Sequence, residues 1–185
     1  MTRRLVATLF YSVDGVASDP YLFQHDSFDD ELGQLMTESI AAIDEAVMGR
    51  VTYTEWASYW PGHDGPDAGF ADFINGLRKH VASRTLTAEE VTWSNASLIE
   101  GDLLEHMRSL KETDGGDIAV QGSLSVVRQL VEAGLLDALT LIIHPAVAGT
   151  GRRLFEGAPA TRLRLIEATT TTKGNLVVTY GPFEG

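Results

Sequence analysis

The chain has no cysteine and is short of positive charge. Its 185 residues carry 14 Lys and Arg against 26 Asp and Glu, a net charge of −12. Without cysteine there is no disulfide framework and no thiolate chemistry. An acidic surface repels nucleic acid and anionic lipid, so neither is an expected partner, and a small-molecule substrate is. Long hydrophobic runs are missing as well: nothing approaches the ~20 apolar residues of a membrane helix. The start, with Arg3-Arg4 before Leu5-Val6-Ala7, has the charge order of a secretory signal. The apolar stretch is brief and soon meets Asp14-Gly15, so it reads as a first β-strand. These absences fit a cytoplasmic protein. Linkers, repeats and low-complexity tracts are also absent, and the length suits a single domain over residues 1–185.

What is present is an alternation of short apolar runs and helical periodicities. Residues 5–11 predict a buried strand. Residues 28–43 predict a helix, with Leu32, Leu35, Met36, Ile40 and Ile43 on one face, capped by Asp26 or Ser27. A strand is expected at 45–48, a short helix at 51–58, and an exposed loop at Pro61-Gly62-His63-Asp64-Gly65-Pro66. Phe70, Phe73, Ile74 and Leu77 mark a further helix. Residues 79–83 read as a strand and 91–94 as a weaker one. A helix carrying Leu103, Leu104, Met107 and Leu110 follows, then a strand at 117–121 and a helix at 123–133 closed by Gly134. A strand at 138–143 precedes a hairpin of 162–171 with 176–181, turning at Lys173-Gly174-Asn175. The order predicts an α/β fold: a mixed, mostly parallel sheet flanked by helices, with an antiparallel C-terminal hairpin.

Three strand ends carry similar equipment: Gly49-Arg50-Val51-Thr52, Ser83-Arg84-Thr85, and Gly122-Ser123-Leu124-Ser125-Val126. In an open α/β sheet, ligands lie outside the carboxyl ends of the strands, so all three would face one edge. In a molecule this acidic, an anion must be held by local groups. Backbone N–H groups at helix starts, the Thr52 and Ser125 hydroxyls, and the Arg50 and Arg84 guanidiniums are such groups. Three of them in one order suggest an extended ligand with more than one phosphate, such as a dinucleotide.

The segments VMGRVTY, HVASRT, IAVQGSLSVVRQL and LTLIIHPAVAGTGRRLF, with the opening LFYSVDGVAS, resemble the dihydrofolate reductase-like superfamily over almost the whole chain. They are most similar to its riboflavin-biosynthesis reductase (RibD C-terminal) branch. The resemblance implies an NADPH-dependent reductase that delivers hydride to a small flat heterocycle, pterin- or pyrimidine-like, and a homodimer. By similarity, Gly49, Arg50, Val51 and Thr52 line one side of the phosphate groove. Ser83, Arg84 and Thr85 take the 2′-phosphate, Gly122, Ser123, Leu124, Ser125 and Val126 cradle the pyrophosphate, and Ala17 lies near the nicotinamide. No fused deaminase domain is present in the sequence, which implies a stand-alone role.

The resemblance departs from the folate reductases in two places. Their acid in the first helix has no clear equivalent in Phe28-Asp29-Asp30-Glu31-Leu32-Gly33-Gln34, and their strand threonine meets Leu141-Ile142-Ile143. Candidates for proton donor or substrate anchor are Asp14, Tyr11 and Asp29, with Phe28 and Trp56 also on the substrate side. Each acid has a structural reading beside the chemical one: Asp14 as a turn former before Gly15, and Asp29 with Asp30 as a dipole-complementing pair at a helix start. Trp56, Tyr59 and Trp60 would stack on a heterocycle or fill core and an oligomer contact. Gly149-Thr150-Gly151 lacks Rossmann spacing, the five histidines lack metal-ligand spacing, and Ser123 and Ser125 lack a nucleophile elbow. Two readings rival the enzyme: a non-catalytic nucleotide-binding protein, and a structural dimer with a vestigial groove.

Overall fold

The computed structural model describes residues 2–183. One eight-stranded sheet organises them. Its strands are β1 (Leu5–Ser12), β2 (Ile43–Gly49), β3 (Arg78–Ala82), β4 (Ala96–Leu98), β5 (Asp117–Val120), β6 (Ala138–His144), β7 (Leu163–Thr170) and β8 (Leu176–Pro182). The spatial order is β4-β3-β2-β5-β1-β6-β8-β7. Strands β1 to β6 run parallel, and β8 and β7 close one edge antiparallel. The helices are α1 (Asp30–Ile40), α2 (Arg50–Tyr59), α3 (Ala68–Gly76), α4 (Leu103–Lys111) and α5 (Leu124–Glu132). None of these helices is long and apolar enough to cross a membrane.

Strand β2 shows why the interior splits in two. Val47 joins Leu5, Leu9, Ile118, Met107 and Leu130 in one core, while its neighbours Ala46 and Met48 join Tyr53, Ile74, Val81 and Trp93 in the other. Successive side chains of a strand point to opposite faces, so the continuous apolar run of β2 feeds both cores. Leu130 and Met107 are fully buried, and truncating either to Ala would cost about 2–5 kcal/mol.

Most boundaries shift by a residue or two, and two elements differ from the sequence reading for a local reason. The helix expected over 28–43 is only α1, because Asp29 caps it, accepting from the Leu32 N–H at 2.9 Å. Ser27 is occupied elsewhere, against His144 Nδ1 at 2.7 Å. Residues 91–94 form no strand. The N–H groups of Thr92 and Trp93 donate to the Tyr53 hydroxyl at 2.8 and 3.2 Å, so a side chain takes the donors that a ladder would use. Pairing resumes at β4, where Ala96 faces Lys79. The hairpin forms as expected, with Gly174 at φ 83 in its turn.

Candidate functional site

The parallel register sets the site. Gly49 pairs with Ala82 and Val47 with Val120, so the carboxyl ends of β3, β2 and β5 lie side by side. The three glycine- and arginine-bearing segments therefore meet at one rim. The cradle at its centre is tight. Ser123 sits in left-handed backbone at φ 56. Its Oγ accepts from the Gly49 N–H at 2.6 Å and lies 2.9 Å from Thr52 Oγ1. One side chain thus stitches the β2–α2 turn to the β5–α5 turn. Gly122, at φ 58, would place a Cβ 2.9 Å from Thr52 Oγ1, and Gly49 would place one 2.7 Å from Ser123 Oγ.

No side chain caps α2 or α5. The first N–H groups of two helices are thus left free of capping side chains at adjacent strand ends, where partial positive charge concentrates. Arg50, Ser83, Arg84, Thr85 and Ser125 line the same groove, as do Ala17, Gly49, Val51, Thr52, Gly122, Ser123, Leu124 and Val126. Arg50 and Arg84 are exposed, and among the described residues neither forms an ion pair.

The groove continues past the cradle between α1 and α2. Its volume is 2120 Å³, about twice the upper end of an ordinary small-molecule pocket of ~1,000 Å³. Its floor is the second face of the central strands. Val6, Thr8 and Phe10 of β1 line it while Leu5, Ala7 and Leu9 point into the core. Thr140 faces the groove beside Thr8, and its Oγ1 lies 2.9 Å from that of Thr179. The sequence reading passed over these floor residues. The two-residue alternation in β1 was the available signal.

The substrate-side candidates divide. Phe28 and Trp56 line the groove. Tyr11 falls on the opposite face from Phe10 and packs against the core, where burial raises its phenol above the usual range. Asp14 joins two loops: it accepts from Ser12 Oγ at 2.7 Å and from the Ala148 and Gly149 N–H groups at 2.9 Å each. The Ser12 hydroxyl, followed by the Ala148 N–H, lowers its pKa to about 2. Asp29 caps α1 and accepts from the Lys173 N–H at 2.9 Å, and its carboxyl is lowered first by Thr171. Neither acid is among the groove-lining residues. Asp19 and Arg152, which the sequence reading did not single out, do line the groove. Asp19 is held in left-handed backbone at φ 51 beside Ala17 and Ser18, and the Arg152 N–H donates to Ser18 Oγ at 3.0 Å.

The model of the RibD C-terminal domain matches residues 3–177. The chain belongs to that family. A protein of Bacillus subtilis, the uncharacterized protein YyaP, is 27% identical over 182 residues, covering 96% of this chain and 94% of its own. Among solved structures, a putative riboflavin biosynthesis protein from Shewanella superposes with a TM-score of 0.70 at 19% identity, each chain covered in full. A deaminase/5-amino-6-(5-phosphoribosylamino)uracil reductase from Thermotoga maritima gives 0.65 at 14% identity, with 98% of this chain matching 57% of that one. The dihydrofolate reductase of Enterococcus faecalis, complexed with NADP(H), gives 0.60 at 14% identity over 98% of both chains. This family member therefore has the dihydrofolate reductase-like fold, and reductases are among the solved structures that share it.

Proposed function

We propose that the protein is an NADPH-dependent reductase that delivers hydride to a small flat heterocycle. The observation that carries this reading is the convergence on one rim of an acidic molecule of two helix starts without a side-chain cap and two arginines that form no ion pair among the described residues. That donor set fits a dinucleotide. The N–H groups at the start of α5 and the Ser125 hydroxyl would hold the pyrophosphate, Thr52 and the start of α2 its other side, and Arg84 with Ser83 and Thr85 the 2′-phosphate. Gly122, in left-handed backbone, lets the β5–α5 turn close against Thr52 and so sets the cradle's shape. Ala17 would border the nicotinamide.

When bound, NADPH supplies two electrons and one proton as hydride; a second proton must reach the substrate from solvent or a side chain, leaving NADP⁺ and the reduced ring. The chain's part is to orient the two rings and exclude water between α1 and the floor strands. Asp14 and Asp29, ionised and held by backbone donors, are poor proton donors at neutral pH. A lack of any other donor would favour a nucleotide-binding protein without catalysis. Titration with NADPH, followed by nicotinamide fluorescence, tests the cofactor assignment. Oxidation of bound NADPH by a panel of pterins, pyrimidines and quinones then separates enzyme from binder. Edge strand β7, with Leu165 and Ile166 exposed, is the surface we assign to a homodimer contact, which light scattering would test.

A further inference from the structure

The substrate side of the groove has a chemistry of its own. Thr52, Trp56 and Trp60 are spaced by four along α2, so they share one face. Each step advances about 6 Å along the helix. Thr52 is tied to the cradle through Ser123, and Trp56 and Trp60 therefore lie one and two turns beyond it. Phe70, from α3, completes a box. Trp56 meets Trp60 at 6.0 Å and 83°, Trp56 meets Phe70 at 5.9 Å and 87°, and Trp60 meets Phe70 at 5.0 Å and 64°. All three line the groove, and all three also pack against the Tyr53–Ile74–Trp93 core, which fixes their positions. Tyr59 and His63 pack on Trp60 as well, at 4.8 and 5.4 Å, so the rings form a fixed aromatic wall rather than a parallel stack, and a planar ligand can lie against its groove side.

The side chains edging this box are acidic, while the cation behind it, Lys79, is buried over Trp93 at 4.6 Å and donates to the Ile74 and Leu77 carbonyls. From residue 51 to 77 the chain has no Lys or Arg and four acids, Glu55, Asp64, Asp67 and Asp72. Glu55 and Asp67 themselves line the groove. A low-dielectric aromatic wall edged with carboxylates repels a phosphate and tolerates a neutral or cationic ring. Arg50 is the one cation at the near end of α2, and it sits on the dinucleotide rim.

We infer that this lobe, walled by Trp56, Trp60 and Phe70 and edged by Glu55 and Asp67, selects a flat ring substrate that is neutral or cationic and carries no phosphate. It would thus differ from the phosphoribosyl substrate named for the Thermotoga reductase. The inference deepens the reductase reading and rests on it for the word substrate, but the binding preference is testable separately.

The matched probes are riboflavin and riboflavin 5′-phosphate, one ring with and without the phosphate. Calorimetric titration of the full chain, with and without saturating NADP⁺, which cannot reduce the flavin, measures both. Riboflavin is expected to bind at least about tenfold more tightly than its phosphate. Trp56→Ala is expected to weaken riboflavin by about tenfold, the size of losing one ring-on-aromatic stack, while NADPH affinity stays within about twofold. Glu55 is exposed, so Glu55→Lys gives a folded check: it should bring the phosphate form level with riboflavin. Equal or tighter binding of the phosphate form by the unaltered protein, failure of both rings to bind, or indifference to both substitutions overturns the inference. Ring selectivity without any NADPH binding leaves the lobe intact and removes the reductase reading; NADPH binding with a phosphate-preferring lobe does the reverse.

Discussion

At the amino ends of β1, β2, β5 and β6, cations are matched to anions. Arg3 meets Asp44 and, at 2.6 Å, Glu45, with Nε donating to the Gly116 carbonyl at 2.7 Å. Arg4 faces Asp117 at 3.6 Å and Lys111 meets Asp137. Glu45 reaches on to His80 at 2.6 Å. At the carboxyl ends, Arg50 and Arg84 stand exposed and, among the described residues, without ion pairs, beside two helices with no side-chain cap. The Arg3–Glu45 cluster is thus electrostatically closed, and the rim at Arg50 and Arg84 is open. Charge paired within the chain, as at Arg3 and Glu45, joins elements of the fold and leaves few donors free for a ligand. Unpaired donors gathered at a rim have no structural use, which is why the rim carries the functional reading.

The contrast is broken most severely at Gly122. Its φ of 58 and a Cβ position 2.9 Å from Thr52 Oγ1 leave no room for a branched side chain. Gly122→Val is expected to weaken NADPH and NADH alike by roughly 100-fold or more, ~3 kcal/mol. Fluorescence titration, on a sample whose melting curve remains cooperative, measures this. Unchanged binding by such a sample would remove the cradle.

At the closed end the effect should fall on stability alone. Arg3 is buried, and burial pushes the Glu45 carboxyl up while Arg3 and His80 together hold it below its ordinary value. Arg3→Met leaves that carboxylate with one partner, at an expected cost of about 3 kcal/mol. Urea unfolding should show the loss, and NADPH affinity of the folded fraction should be unaltered. A variant that lost affinity without losing stability would mean that the two ends are not separable.

Arg84→Ala sharpens the open end. Only NADPH carries the 2′-phosphate, so its affinity should drop about tenfold while NADH binding holds. Parallel losses for the two cofactors would assign Arg84 to the pyrophosphate or to nothing. Ser123→Ala is milder. It removes the acceptor of the Gly49 N–H and the partner of Thr52, and about 1 kcal/mol of stability should go with it. Because the two turns it joins also form the cradle, a smaller loss of NADPH affinity should accompany the shift in urea midpoint.

The open end was legible in the sequence because its signals are local. An apolar run, a glycine and then Arg-x-Thr announce a strand turning into a helix within seven residues, and Gly122-Ser123 repeats the pattern. The parallel direction of the strands around them followed from alternating strands and helices; their spatial order did not. The closed end was not legible, since Arg3, Glu45 and His80 stand 42 and 35 positions apart and meet only through strand register. The groove floor was half legible: Thr8 and Thr140 sit at predicted strand positions, but which face is left uncovered depends on where α1 docks. Trp93 misled for a related reason, its apparent strand being dissolved by the hydroxyl of Tyr53, some forty positions earlier.

The smallest effect concerns Asp14, which joins the first loop to the 148–149 loop rather than to the ligand rim. Its pKa of about 2 lies below the ordinary 3.8, so the folded state binds its proton less readily than the unfolded chain. Stability from this group is complete above the unfolded value and disappears as pH falls from about 4 through about 2. Other carboxylates titrate in the same window, so the difference between the unaltered protein and Asp14→Asn is the quantity to follow. The gap in urea midpoint should be present at about pH 6 and close on acidification toward about pH 2.5. A gap that stayed constant across that range would show that the carboxylate's charge contributes nothing to joining the loops, and that the hydrogen bonds to Ala148 and Gly149 act through geometry alone.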